Sequence, residues 1–146
     1  IVNARNETPL TTTGELSSLV DACVPTREPG KHPATRTFQA LRLFINQELA
    51  ELDAVLPQAL DMLEPGGRLV IISFHSLEDR RVKRFFHDAA KGDPFPPDLP
   101  IRAKEISPVI LRPSRPQRPS EGEISDNPRA RSAILRWAQK SPSGQI

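Results

Sequence analysis

Residues Glu64–Phe86 read EPGGRLVIISFHSLEDRRVKRFF, and the fold turns on this stretch. Pro65-Gly66-Gly67 is a turn signal, because proline presets φ and glycine accepts positive φ without steric cost. Arg68–Phe74 follows as RLVIISF, with an unbroken apolar centre from Leu69 to Ile72. A short β-branched run directly behind a Gly-Gly turn favours a strand over a buried helix. A strand apolar on both faces is expected to be buried on both, as in a parallel sheet covered by helices. Polarity returns at His75-Ser76. Ser76 with Asp79 three residues on predicts a helix N-terminus, and the helix should run to about Ala90. Leu77, Val82, Phe85, Phe86 and Ala89 form its apolar face. In an open α/β sheet, ligands bind beyond the carboxyl ends of strands, where His75 and Ser76 fall. A substrate-facing role and a structural hydrogen-bonding role for His75 both remain open. Glu78 and Asp79 read most simply as first-turn residues complementing the helix dipole.

Upstream of this stretch the pattern is helical. IVNARNE reads as the tail of a helix, broken at Pro9, and Thr12-x-x-Glu15 is a capping box for a helix through about Ala22. Val24–Pro33 is a connecting loop. Phe38, Leu41, Ile45, Leu49, Leu52 and Leu56 recur at spacings of 3 and 4, which predicts one long helix ended or kinked at Pro57. Beside this stripe Thr35, Gln39, Arg42 and Asn46 form a polar line at its edge. Such a line either rims a pocket or hydrogen-bonds along a helix–helix seam.

Downstream, Lys91–Pro100 is loop, and Ile106–Leu111 is a candidate edge strand because Pro108 interrupts it. Arg112–Pro119 (RPSRPQRP) is extended and cationic, with the composition of a linker or polyproline ligand. Ser120-x-x-Glu123 is a second capping box, Asn127-Pro128 a turn, and Arg131–Ala138 a final strand. No internal repeat is evident.

With 146 residues the chain can bury a real core. Its opening on Ile1 suggests part of a longer polypeptide. It contains nothing like a signal peptide, and no apolar run nears the ~20 residues that span a bilayer. The lone Cys23 rules out an internal disulfide and a cysteine metal cluster, which suits a reducing cytoplasm. Net charge is +2 but unevenly spread. Residues 1–65 carry 5 basic and 9 acidic side chains, residues 66–92 carry 6 and 3, and residues 101–146 carry 9 and 4. Arg112, Arg115, Arg118, Arg129, Arg131 and Arg136 crowd the last part, so a polyanionic partner is expected. No nucleophilic triad is visible, the three histidines lack ligand spacing, and neither GxGxxG nor GxxxxGK[ST] occurs.

Three longer stretches narrow the function: HPATRTFQALR (His32–Arg42), ISFHSLEDRRVKRFF (Ile72–Phe86) and NPRARSAILR (Asn127–Arg136). In this order they resemble the RsmH (MraW) family of bacterial 16S rRNA cytosine-N4 methyltransferases. ARNETPLTTTGEL and PSEGEI resemble that family too, so the likeness covers Ala4 to about Ala138. The resemblance implies an α/β chain holding the carboxyl-terminal half of a Rossmann-like, S-adenosylmethionine-dependent methyltransferase sheet. Residues 1–33 would end a helical insert domain and its connecting loop, 34–138 would be the catalytic half, and 139–146 a tail.

The family's glycine-rich cofactor loop, acidic ribose partner and Asp-Leu-Gly-Val-Ser-Ser-like catalytic segment are absent. The resemblance therefore implies S-adenosylmethionine as cofactor while leaving its main contacts outside this chain, which alone should be inactive. The implied partner is 16S rRNA or the small ribosomal subunit. Placement then assigns Gln39, Arg42, Asn46, His75 and Ser76 to the wall of a cytidine pocket, and Arg129 and Arg131 to rRNA phosphates. A non-catalytic RNA-binding module derived from the same fold is the alternative. A different Rossmann enzyme, such as a dehydrogenase, leaves the two arginine motifs unexplained.

Overall fold

The computed structural model describes residues 1–25, 29–92 and 108–142. The chain forms two compact units, Ile1–Glu48 and Leu49–Ile146.

The first unit is helical. α1 spans Val2–Glu7 and α2 spans Thr13–Cys23. Thr12 caps α2 as the sequence predicts: its Oγ1 accepts from Glu15 N (3.2 Å) while Glu15 Oε2 accepts from Thr12 N (3.0 Å). After the loop, α3 spans Thr35–Ile45. The predicted long helix breaks here, at Asn46-Gln47 and not at Pro57. Gln47 takes a left-handed φ of 51°, which a continuing helix does not allow. Leu43 is buried, whereas Leu41 and Ile45 of the expected stripe are exposed.

α4 spans Glu48–Asp61 and opens the second unit's architecture. It continues through Pro57. An interior proline costs about 3 kcal/mol. Leu56 and Leu60, both 3% exposed, offset that by burying two leucines at about 1.5–3 kcal/mol each. Glu64–Gly67 then forms a tight turn closed by Gly67 N to Glu64 O (2.8 Å). Proline at its second position and Gly66 at φ +82° at its third give it type II geometry. A Cβ on Gly67 would meet Glu64 O at 2.8 Å, so the second glycine is required by close approach.

β1 (Arg68–Ser73) and α5 (Ser76–Lys91) follow, then α6 (Glu121–Asp126), a 3-10 turn (Pro128–Ser132) and β2 (Ile134–Gln139). β1 pairs antiparallel with β2, Arg68 opposite Gln139 and Ser73 opposite Ile134. Arg131–Ser132, expected in the strand, belong instead to the turn that follows Pro128. Of the candidate strand Ile106–Leu111, its first two residues lie outside the described residues. Residues 110–117 run along the other edge of β2, bridging at Ile110–Lys140 and Gln117–Leu135. The proline-rich segment is therefore part of the sheet's edge.

α4 and α5 cover one face of this sheet. Leu56, Leu60, Val82, Phe86, Ile110 and Ala138 form the core, joined by Leu69 and Ile71. The expectation that β1 is buried on both faces is corrected. Val70, Ile72 and Phe74 point to the opposite face and are each about 55% exposed, because no layer of the described residues lies over them. Among those residues β1 pairs only with β2, so its far edge is open.

Candidate functional site

In the first unit, the polar line on α3 converges at its carboxyl end. Arg42 grips Glu48 with two donors, Nε at 2.8 Å and Nη2 at 3.0 Å. Asn46 Nδ2 donates to the same carboxylate at 3.2 Å. The break at Gln47 makes this possible, since it returns Glu48 toward the last turn of α3. The bond to Glu48 orients the Asn46 amide and leaves its Oδ1 as a free acceptor. Gln39, half-buried, lies one turn earlier, and Thr35 Oγ1 donates to His32 O (2.7 Å) at the helix start. Arg42 keeps 57% of its side chain exposed, so its remaining donors face solvent.

In the second unit, His75 and Ser76 stand at the carboxyl end of β1 as expected, but the cap is displaced by one residue. His75, not Ser76, is the N-cap of α5, and its partner is Glu78, not Asp79. His75 Nδ1 accepts from Glu78 N (3.4 Å), while Glu78 Oε2 accepts from Phe74 N (2.9 Å) and His75 N (3.3 Å). Nδ1 as acceptor puts the proton of the neutral ring on Nε2, which is buried with Glu78 Oε1 at 3.2 Å but poorly aligned. His75 therefore organises the strand–helix junction. Ser76, exposed and without a hydrogen-bond partner among the described residues, presents a free hydroxyl there.

Asp79, freed from capping, takes a role that the sequence reading missed. Arg136 of β2 donates to it twice, Nε to Oδ1 at 2.7 Å and Nη2 to Oδ2 at 3.0 Å. Both side chains are mostly buried, at 16% and 13% exposure. The Arg136 hydrogen bonds hold the Asp79 carboxyl below its usual range, against the opposing effect of burial. The charges of Arg136, Lys83 and Arg118 add to the effect. This clamp ties the first turn of α5 to the sheet. The only sequence signal for it was that Arg136 interrupts an otherwise apolar strand.

Arg129 and Arg131 sit on the 3-10 turn on either side of buried Ala130, and both are exposed. Asn127 Oδ1 accepts from Arg129 N (3.2 Å), which fixes the turn and leaves both guanidinium groups to solvent. Among the described residues no group of three or more His, Cys, Asp or Glu could hold a metal ion, and no helix is long and apolar enough to cross a membrane.

Comparison with known proteins gives one family. The family model described as the MraW methylase family matches residues 1–141. The chain is 56% identical over 141 residues to a protein of Dechloromonas aromatica, covering 96% of this chain and 46% of that protein. It is 55% identical over 141 residues to one of an Azoarcus species, covering 96% and 45%. It is 56% identical over 140 residues to one of Coxiella burnetii, again 96% and 45%. Each of these relatives is named ribosomal RNA small subunit methyltransferase H. The chain thus spans about half the length of the curated relatives it matches.

Proposed function

Since the chain belongs to the MraW methylase family, we propose that it is the carboxyl-terminal half of an rRNA methyltransferase that methylates N4 of a cytidine in 16S rRNA, using S-adenosylmethionine. The observation that carries this reading is the family match over residues 1–141 at about 45% of the relatives' length. The open edge of β1 and the exposed Val70, Ile72 and Phe74 support it. Further strands and a second helical layer from outside this chain would complete a Rossmann-like sheet, with the helical insert ending before α3. Partner and cofactor fit a cytoplasmic protein.

The described residues do not suit the cofactor. An adenosyl ribose is held by a free carboxylate beyond a strand. The two carboxylates at the tip of β1 are committed, Glu78 to Phe74 N and His75 N, Asp79 to Arg136. On this reading the main contacts to S-adenosylmethionine come from sequence outside this chain, and the chain by itself is inactive.

What these residues can do is hold the nucleoside and its RNA. The cytosine amine is a poor nucleophile because its lone pair is delocalised into the ring. It gains from acceptors that polarise its N–H groups and from a base fixed in line with the methyl. Asn46 Oδ1 and Gln39 Oε1 supply amide acceptors on the α3 strip. Arg42, held by Glu48, offers its outward donors to the base carbonyl or an adjoining phosphate. In the second unit, and taken by itself, Ser76 offers a hydroxyl at the strand tip, positioned by the His75–Glu78 cap. Arg129 and Arg131 bind rRNA phosphates, which fixes position and makes affinity salt-dependent.

The test uses small ribosomal subunits lacking the methyl group. The complete enzyme should transfer methyl from S-adenosylmethionine to a single cytidine N4, and the isolated 146-residue chain should transfer none. Transfer by the isolated chain would refute the half-enzyme reading. The isolated chain should also self-associate through its open edge and apolar face. A sharp, cooperative melt of a clean monomer counts against a missing half.

A further inference from the structure

On the flank of the second unit away from β1, α5 and residues 109–119 run side by side. Val109 N and Ile110 N both donate to Ala89 O near the carboxyl end of α5, at 3.0 and 3.4 Å. The segment then returns along β2, with Leu111 N to Gln139 O (2.8 Å), Ser114 N to Trp137 O (2.8 Å) and Gln117 N to Leu135 O (2.9 Å). Leu135 adjoins Arg136, whose guanidinium holds Asp79 in the first turn of α5. The segment therefore ends beside the amino end of the helix.

This pairing divides the sequence into triplets: Leu111-Arg112-Pro113, Ser114-Arg115-Pro116 and Gln117-Arg118-Pro119. In each, the first residue donates to the sheet, the second is an exposed arginine and the third has no N–H. Every third residue of an extended, proline-rich chain faces the same way, about 9 Å apart at 3.1 Å per residue. Arg112, Arg115 and Arg118 thus make a ridge. α5 adds a second row. Arg80, Lys83, Arg84 and His87, all exposed, recur at the spacing of one helix face and line a cavity of about 270 Å³. Arg81 pairs with Asp53 on the α4 side of α5, and the two rows approach each other at Asp79, which feels the charges of both Lys83 and Arg118. Among the described residues, the six Arg and Lys side chains of the two rows have no hydrogen-bond or ion-pair partner. Of the acids near the rows, Asp79 is held by Arg136, Glu78 by the cap and Asp88 by His87, while Glu123 lines a cavity beside Arg118 without an ion pair to it.

We propose that these two rows form a track for the phosphate backbone of RNA, distinct from the strand tip at Ser76. The proposal rests on the rRNA methyltransferase reading and extends it to where the rest of the substrate lies. Guanidinium forks at regular spacing match phosphate oxygens two at a time. Recognition by a proline-binding domain fits less well. One side of the extended segment is engaged with β2, and Pro113 and Pro119 are half-buried, so the prolines offer no continuous ridge.

The experiment measures binding of the complete enzyme to small ribosomal subunits against salt concentration. The triple variants R112Q/R115Q/R118Q and R80Q/K83Q/R84Q are each compared with the parent. Each should lower the slope of log affinity against log salt by about 2 and weaken binding tenfold or more at about 0.1 M salt. Melting temperatures should be unchanged. R112K/R115K/R118K should recover the slope, since slope counts charges. Parental slopes in both glutamine variants would overturn the track while leaving the methyltransferase reading intact. Unaltered RNA binding with lost binding to anionic phosphatidylserine vesicles would overturn it in favour of a lipid surface. If the parent neither binds nor methylates the subunits, the underlying reading fails as well.

Discussion

Replacing Asp79 with asparagine tests the clamp that fixes α5 to the sheet. The substitution keeps shape and removes charge, leaving the Arg136 guanidinium mostly buried without a counter-ion. An exposed ion pair contributes at most about 1 kcal/mol, and stranding one partner of a fully buried pair costs about 3–5 kcal/mol. Here both side chains are about 85% covered and the pairing is two-pronged, at 2.7 and 3.0 Å. A loss of about 2–3 kcal/mol lies between those limits. The assay is urea unfolding of the complete enzyme, followed by circular dichroism, for Asp79→Asn, Arg136→Gln and the double variant. A coupling energy of about 1.5 kcal/mol or more is expected from the cycle. The pH dependence has a definite sign. The folded carboxyl titrates below its unfolded value of about 3.9, so its contribution is complete above that pH and is lost as pH falls through the lowered folded value. The gap between parent and Asp79→Asn should therefore be constant from pH 7 to about 5 and close in stronger acid. A coupling below about 0.5 kcal/mol, or a gap insensitive to acid, would refute the clamp.

Other substitutions separate architecture from function. Gly66→Ala forces a side chain to φ +82° and should cost about 1–2 kcal/mol in the same unfolding assay, with methylation at saturating substrate following folded fraction only. Arg42→Ala in the complete enzyme should reduce rRNA methylation at least about tenfold with the melting temperature nearly unchanged, since its pair with Glu48 is solvent-exposed. Cofactor affinity should also hold, and normal turnover on native rRNA particles would remove Arg42 from the pocket. His75→Ala should lose about 1 kcal/mol of capping stability, which His75→Asn should restore by replacing the acceptor. Activity that His75→Asn also restores would place the ring's role in the cap alone.

The sequence by itself determined what contacts within a few residues can decide. The Glu64–Gly67 turn, strand β1, the Thr12 and Ser120 caps and the start of α5 to within a residue were all legible. In the turn and the caps donor and acceptor lie within four positions of one another, and β1 is announced by its own β-branched run behind the turn. The family also emerged, because three motifs in fixed order carry more information than any one constellation. Of the candidate site, the positions were legible but the partners were not. Glu48 as the holder of Arg42 and Asn46 depended on a left-handed Gln47, which no glycine or asparagine at that position announced. Tertiary packing alone decided that α4 passes through Pro57, because the compensation comes from a core built by α5 and β2. It alone seated Arg136 on Asp79, 57 residues away, and placed the proline-rich segment against β2. The exposure of one face of β1 was equally beyond the local pattern. An apolar run encodes a tendency to be covered, while the covering layer is contributed by residues distant in the chain or outside it.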